Sequence, residues 1–368
     1  MLVQDCHIAS DISTVRSIFK GPESSPFLAP RGVWLVKNKL FVSDTGRNRV
    51  FVWNELPEHE FAVPSHVLGQ GEVDGTGRNR NDTVSASSLQ YPSALWSDGT
   101  RLIVADAWNH RVLIWHELND LTGQPADVVI GQPDFTTNEP NVTGLASPPS
   151  AQSLYWPYGV HSDGKQLWIA DTGNRRVLYF PEIPTENFAP AEAVIGKPDF
   201  ESRDFESQEP IWPYSVRVNA QGNLVITDTQ CFRALVWKDW QQAIGSVPAD
   251  IVVGQPDLAG AGQNQFFPTP VEKSLNWCYD SFFYKEGLMV LDTANSRVKW
   301  HKSLPTEHNP APDALIGPPD AFTPSENVNN IKGTDYALYW PFALCIEKNC
   351  LAIADTGNHR VIINDLKI

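Results

Sequence analysis

The sequence predicts an all-β chain, a six-bladed β-propeller of four-stranded antiparallel blades. Three observations predict it: a motif that returns six times, hairpin chemistry around each copy, and a composition suited to short strands joined by tight turns. The 368 residues include 13 Trp, 17 Phe, 29 Pro and 24 Gly against two Met, and only 19% are charged. Aromatic side chains fit the pleated, half-buried surface of a sheet, whereas Pro and Gly interrupt helices and populate turns.

The recurring motif centres on Asp44, Asp106, Asp171, Asp228, Asp292 and Asp355, 57 to 65 residues apart, and an Arg follows each Asp by five positions. In each copy an apolar run such as Leu167-Trp168-Ile169-Ala170 enters a turn, Asp171-Thr172-Gly173-Asn174, and Val177-Leu178-Tyr179-Phe180 leaves it. Asp can bond the turn backbone, and Gly and Asn tolerate positive φ, so each copy reads as a hairpin. An upstream strand is introduced by an aromatic-Pro pair, as in Tyr91-Pro92, Trp156-Pro157, Trp212-Pro213 and Trp340-Pro341. A fourth strand ends in segments such as Gly131-Gln132-Pro133-Asp134 or Gly317-Pro318-Pro319-Asp320. The meanders span about 28–72, 90–134, 155–199, 211–257, 276–320 and 339–368. The last has no fourth strand of its own, and Val15 to Glu23 resembles the missing one. Residues 12–23 are therefore expected to complete it, pairing edges otherwise exposed and making 1–368 a single domain.

The Asp-Thr-Gly-Asn-x-Arg-Val core resembles the NHL repeat over nearly the whole chain. The resemblance implies blades around a central axis with the first strand innermost. Copy four departs from it, with Thr229-Gln230-Cys231-Phe232, and copy five has Ala294 in place of Gly. NHL-like amidating lyases draw a zinc site from several axial His. Here only His161 occupies such a strand position, so no catalytic metal is expected. No cofactor is expected either. A structural calcium on carbonyls and a carboxylate such as Asp280 is left open, since such ligands leave little trace in sequence.

A net charge of −15 opposes nucleic-acid binding, and no run of Lys and Arg offsets it. No apolar stretch approaches the roughly twenty residues of a membrane helix. The first twenty residues carry Asp5, His7 and Asp11 and do not read as a leader, which makes a cytoplasmic location the default. Five Cys (6, 231, 278, 345 and 350) lack CxxC spacing and read as free thiols, although Cys345 and Cys350 are near enough in sequence to bridge a hairpin. No GxSxG, HExxH, P-loop or dinucleotide fingerprint occurs.

The Asp and Arg present in every copy are expected to hold the hairpins, and the Trp before Pro to pack between blades. Function is sought where equivalent positions differ. One residue after the Pro register stand Arg31, Ser93, Tyr158, Tyr214, Tyr279 and Phe342. Four residues after it stand Trp34, Trp96, His161, Arg217, Phe282 and Cys345. Strict alternation would send the two sets to different faces. One cation, three phenols and a hydroxyl in the first set suit an anionic or aromatic ligand.

Two function classes follow. The first is a soluble binding or scaffolding propeller, with a small polar or aromatic ligand, a peptide or a protein partner near the axis, contacted by Arg31, Tyr158, Tyr214 and Tyr279 and also by His161 and Arg217. The second is a lyase- or hydrolase-type enzyme with His161 as base, Arg217 or Arg31 stabilising an anion and Tyr214 donating a proton. Convergence of His161, Arg217 and a Tyr hydroxyl on one concavity would favour the second.

Overall fold

Each Asp-centred copy folds as a hairpin with one recurrent lock. A computed structural model describes residues 12–367 apart from 319, 324, 325, 332 and 336. Asp5, Cys6, His7, Asp11, Pro319 and Ile368 thus lie outside the described residues. In the first copy Lys39–Asp44 pairs antiparallel with Arg49–Trp53, Asp44 standing opposite Arg49, and Asn48 closes the turn in the left-handed region at φ 55°. One Asp44 oxygen accepts from Arg49 Nε at 2.8 Å and the other from the backbone N–H of Leu28 at 2.7 Å, just before the first strand. The same double contact recurs in every copy; Asp171, for example, takes Arg176 Nε at 2.8 Å and Tyr155 N–H at 2.8 Å. All six pairs are buried, and each Arg spends further N–H groups on loop carbonyls. A group that does the same work in six blades is a structural lock.

The chain forms six four-stranded antiparallel sheets. Their first strands are Gly32–Val36, Pro92–Ser97, Pro157–Ser162, Pro213–Val218, Ser281–Tyr284 and Pro341–Glu347. Each touches the first strand of the sheets on either side, and the first and last sheets also meet, so these strands line the axis of a closed ring. Five of the six sheets use four successive strands. In the sixth, Ile12–Phe19 pairs with Arg360–Leu366, as the missing-strand argument requires. Phe19, fully buried, carries this closure into blade one, its ring 5.9 Å from Phe27 and 5.5 Å from Trp53.

Neighbouring blades are stitched by the Thr after the Asp. Its hydroxyl donates to a carbonyl at or just before the start of the next inner strand: Thr45 to Pro92 at 2.7 Å, Thr229 to Cys278 at 2.6 Å, Thr293 to Pro341 at 2.7 Å and, across the seam, Thr356 to Pro30 at 2.5 Å. Blade two has Ala107 here and lacks the stitch. In blade three the approach is close enough to favour Gly173, where a Cβ would lie 2.6 Å from the Tyr155 carbonyl; blades two and five carry Trp108 and Ala294 there with longer N–H to carbonyl distances of 3.2 and 3.1 Å against 2.8 Å.

The connections between blades are also tied down. Asn79, Asn141 and Asn327 each exchange hydrogen bonds with a turn Asn of the following blade, and Asn264 Oδ1 accepts from Asn295 Nδ2 at 2.9 Å; Asn109 Nδ2 donates to Asn79 Oδ1 at 2.8 Å and the reverse bond is 3.1 Å. The long loop from Thr136 to Ser153 is held this way through Asn141 and Asn174. Cys231, Cys278, Cys345 and Cys350 are free thiols, and Cys345 stands opposite Ala352 in its hairpin, not opposite Cys350. Among the described residues no helix is long and apolar enough to cross a membrane.

Candidate functional site

Pro at the head of four inner strands sets the geometry of the axis. Pairing between the first and second strands jumps register at Pro92/Leu95, Pro157/Gly159, Pro213/Ser215 and Pro341/Ala343. Ser93, Tyr158, Tyr214 and Phe342 lie within these bulges, where two or more residues oppose fewer on the partner and alternation is reset. Strict alternation therefore fails here: Tyr214 and Arg217, three residues apart, line the same axial cavity together with Arg31, Ser93, Tyr279 and Asp280. The space there open to the centre of a water molecule is only about 10 Å³. That admits about one water, so an organic ligand would lie over the mouth of the axis and not within it.

The mouth, at the end that carries the Asp turns, is a continuous aromatic array. Tyr158 stacks on Tyr214 with centroids 4.7 Å apart, Tyr214 meets Tyr279 edge-on at 4.7 Å, and Tyr279 stacks on Phe342 at 4.0 Å. Tyr158, Tyr214 and Phe342 are nearly buried and make a floor; Tyr279 is half-buried. Around them stand half-buried Tyr91, Trp156 and Trp212 and the more exposed Trp108, Trp277 and Trp340. Trp156 and Trp212 tilt against each other at 6.1 Å, packing between blades three and four while leaving part of each ring to solvent. Tyr91, Trp156, Trp277 and Trp340 hold positive φ between 45° and 56°. Three of these backbones are fixed from the preceding blade: Tyr91 N–H donates to Asn48 Oδ1 at 3.0 Å, Trp156 N–H to His110 Nδ1 at 3.2 Å and Trp340 N–H to Ser296 Oγ at 3.3 Å.

Blade one has Ala29 at this rim position, and Arg31 occupies the gap. Its guanidinium carbon lies 4.0 Å from the Phe342 ring centre and 5.1 Å from that of Tyr91. Among the described residues no carboxylate is within ion-pair reach of it. Burial pushes the Tyr158 hydroxyl up to about 12 and raises those of Tyr91 and Tyr279 as well, so these phenols stay protonated and able to donate.

The second ring is engaged internally. The Nε2 of His161 lies 2.8 Å from the Val218 carbonyl, which makes Nε2 the protonated nitrogen, and the ring tilts against Trp168 at 5.7 Å. Burial, with Arg217 adding to it, lowers the His161 pKa to about 3. Arg217 donates to the Val160 and Val216 carbonyls at 3.2 and 3.1 Å and pairs with Asp280 at 3.1 Å. His161 does not line the cavity that Tyr214 and Arg217 share. The His-Arg-Tyr convergence that would favour an enzyme is absent for that reason. Asp280, the carboxylate considered for calcium, is committed to Arg217, to Leu344 N–H at 3.2 Å and to Ser281 N–H at 3.0 Å. Among the described residues no group of three or more His, Cys, Asp or Glu could hold a metal ion.

Trp108 belongs to the mouth and was not singled out from sequence. It is 44% exposed, stacks on Tyr91 at 4.4 Å and 8°, and its Nε1 lies 3.4 Å from the Tyr158 hydroxyl. The signal was available, because blade two replaces Thr-Gly with Ala107-Trp108.

No protein-family model matches the chain, and no curated protein does. Solved structures do. An auxiliary nutrient binding protein from Bacteroides thetaiotaomicron aligns over 97% of this chain and 70% of its own at 10% identity, with a TM-score of 0.50. Streptogramin B lyase aligns over 95% and 97% at 11% identity and a TM-score of 0.47. Hydrazine synthase of Kuenenia stuttgartiensis aligns over 92% and 77% at 13% identity, also with a TM-score of 0.47. The likeness is one of fold.

Proposed function

We infer that this protein is a binding propeller that takes a small polar ligand with a flat or aromatic face at the mouth of its axis. The observation that carries the reading is the half-exposed aromatic rim around a phenol floor, with Arg31 set into the one gap. Stacking on Trp156, Trp212 and the Tyr91–Trp108 pair would supply affinity, and the phenols and Arg31 would supply hydrogen bonds that fix orientation. A lyase or hydrolase reading receives no comparable support, because a neutral, carbonyl-bound His161 outside the cavity is poorly placed as a base.

A protein partner is a second reading, favoured by Phe266 at 87% exposure and Ile331 at 100% on connections at the same end of the ring. The test is a panel of aromatic acids and saccharides followed by tryptophan emission and calorimetry. A ligand that shifts the emission should lose at least tenfold in affinity in the Trp156→Ala, Trp212→Ala double variant. No emission change across the panel, or equal affinity in the folded variant, would remove the mouth as a small-ligand site and leave the protein-partner reading.

A further inference from the structure

Below the mouth the charges of the axial cavity do not balance. Arg217 is 5% exposed and compensated by Asp280, whose two oxygens are used by Arg217, Leu344 N–H and Ser281 N–H. Nothing among the described residues compensates Arg31 in the same way. Both guanidiniums line the cavity, and the Nε of each is buried without a hydrogen-bond partner among the described residues. The lining also includes Ser93 and Tyr214, whose hydroxyls are 3.4 Å apart, as well as Ser215 and Tyr279.

A buried donor without a partner is costly, and at the same place a half-buried guanidinium stands without a carboxylate to balance it. A water could accept from the donors but could not balance the charge. We propose that the axial cavity binds one small monovalent anion of the halide class, held by the Nε–H groups of Arg31 and Arg217 and the hydroxyls of Ser93 and Tyr214. The space of about 10 Å³ open to a water-sized centre limits the occupant to one atom of that order, and the neighbouring Asp280 disfavours a second negative charge. Carboxylates and sulfate are excluded by size. The occupant would leave the mouth above it nearly neutral.

Crystals grown in sodium bromide, with data collected at the bromine edge, test this directly. A single anomalous peak in the axial cavity is expected. In parallel, the melting temperature should rise by about 2–4 °C in saturating bromide or chloride relative to sodium gluconate at equal ionic strength. Arg31→Gln should weaken the halide dependence at least tenfold. Absence of a peak in wild-type crystals, or an equal halide effect in Arg31→Gln, would overturn the assignment; the crystal result decides alone if that variant does not fold. Neither readout involves the mouth ligand, so failure here and failure of the binding reading are separately visible.

Discussion

Replacing Asp171 with Ala isolates the lock that the fold repeats six times. The carboxylate accepts from Arg176 Nε at 2.8 Å, Asn174 Nδ2 at 2.8 Å and Tyr155 N–H at 2.8 Å, and both members of the pair are fully buried. Without it Arg176 keeps only carbonyl partners, Ser150, Ser153 and Phe200, for a charge out of reach of water. Breaking a buried pair by removing one partner costs about 3–5 kcal/mol. An unfolding entropy of about 2.1 cal/mol/K per residue gives this chain about 0.8 kcal/mol per degree, so the melting temperature should fall by about 4–6 °C in scanning calorimetry. Adding Arg176→Met removes the stranded charge and should restore more than half of the loss, since apolar replacement of a whole buried pair is often near neutral. A single variant within about 1 °C of wild type, or a double variant that falls by the sum of the two singles, would refute the lock.

Two further outcomes follow from closure and from inter-blade bonding. Phe19→Ala empties a fully buried site between Phe27 and Trp53 and should cost about 3–5 kcal/mol in urea unfolding. A loss under about 1 kcal/mol would mean that the ring closes without that strand. His110 accepts Trp156 N–H, and burial lowers its pKa to about 4 from an ordinary value near 6.5. Between those values the unfolded chain binds more protons, so this contribution is complete above about pH 6.5 and is lost as pH falls toward 4. His110→Asn would copy Asn48, whose Oδ1 accepts Tyr91 N–H without titrating, and should flatten the decline in melting temperature over that window; parallel curves would dismiss the idea.

What was legible in sequence were the interactions every blade repeats. The Asp and Arg lock, the hairpins and the closure by Ile12–Phe19 each recur at fixed spacing or complete a count, and spacing needs no coordinates. The bulges were not legible, because Pro starts the strand and the register jump that follows depends on how the chain approaches Asp in three dimensions; hence Tyr214 and Arg217 were assigned to different faces. Nor was the pairing of Arg217 with Asp280, 63 residues away on the next blade. The Asn pairs left a trace. The four turns with Asn, at Asn109, Asn174, Asn295 and Asn358, follow the four loops that contribute Asn, whereas the turns with Arg47 and Cys231 make no such exchange.

The sites where the repeat is broken lie close together, and this is the physical reason for placing a site there. Blade one gives up the rim aromatic at Ala29, and Arg31 takes the space between Tyr91 and Phe342. The adjacent blade two gives up its Thr stitch at Ala107 and gains Trp108, whose Nε1 lies near the Tyr158 hydroxyl of blade three, while His110 makes the same backbone contact to Trp156 N–H that Asn48 makes to Tyr91. A neutral drift of the repeat would weaken that joint without replacement. Here a lost hydroxyl bond is accompanied by one new contact, Trp108 to Tyr158, whose indole enlarges the aromatic face of the mouth and adds stacking surface beside Arg31. The repeat alone would have placed Thr at 107 and Gly at 108, and it is Trp108 in the Gly position that supplies the stacking surface.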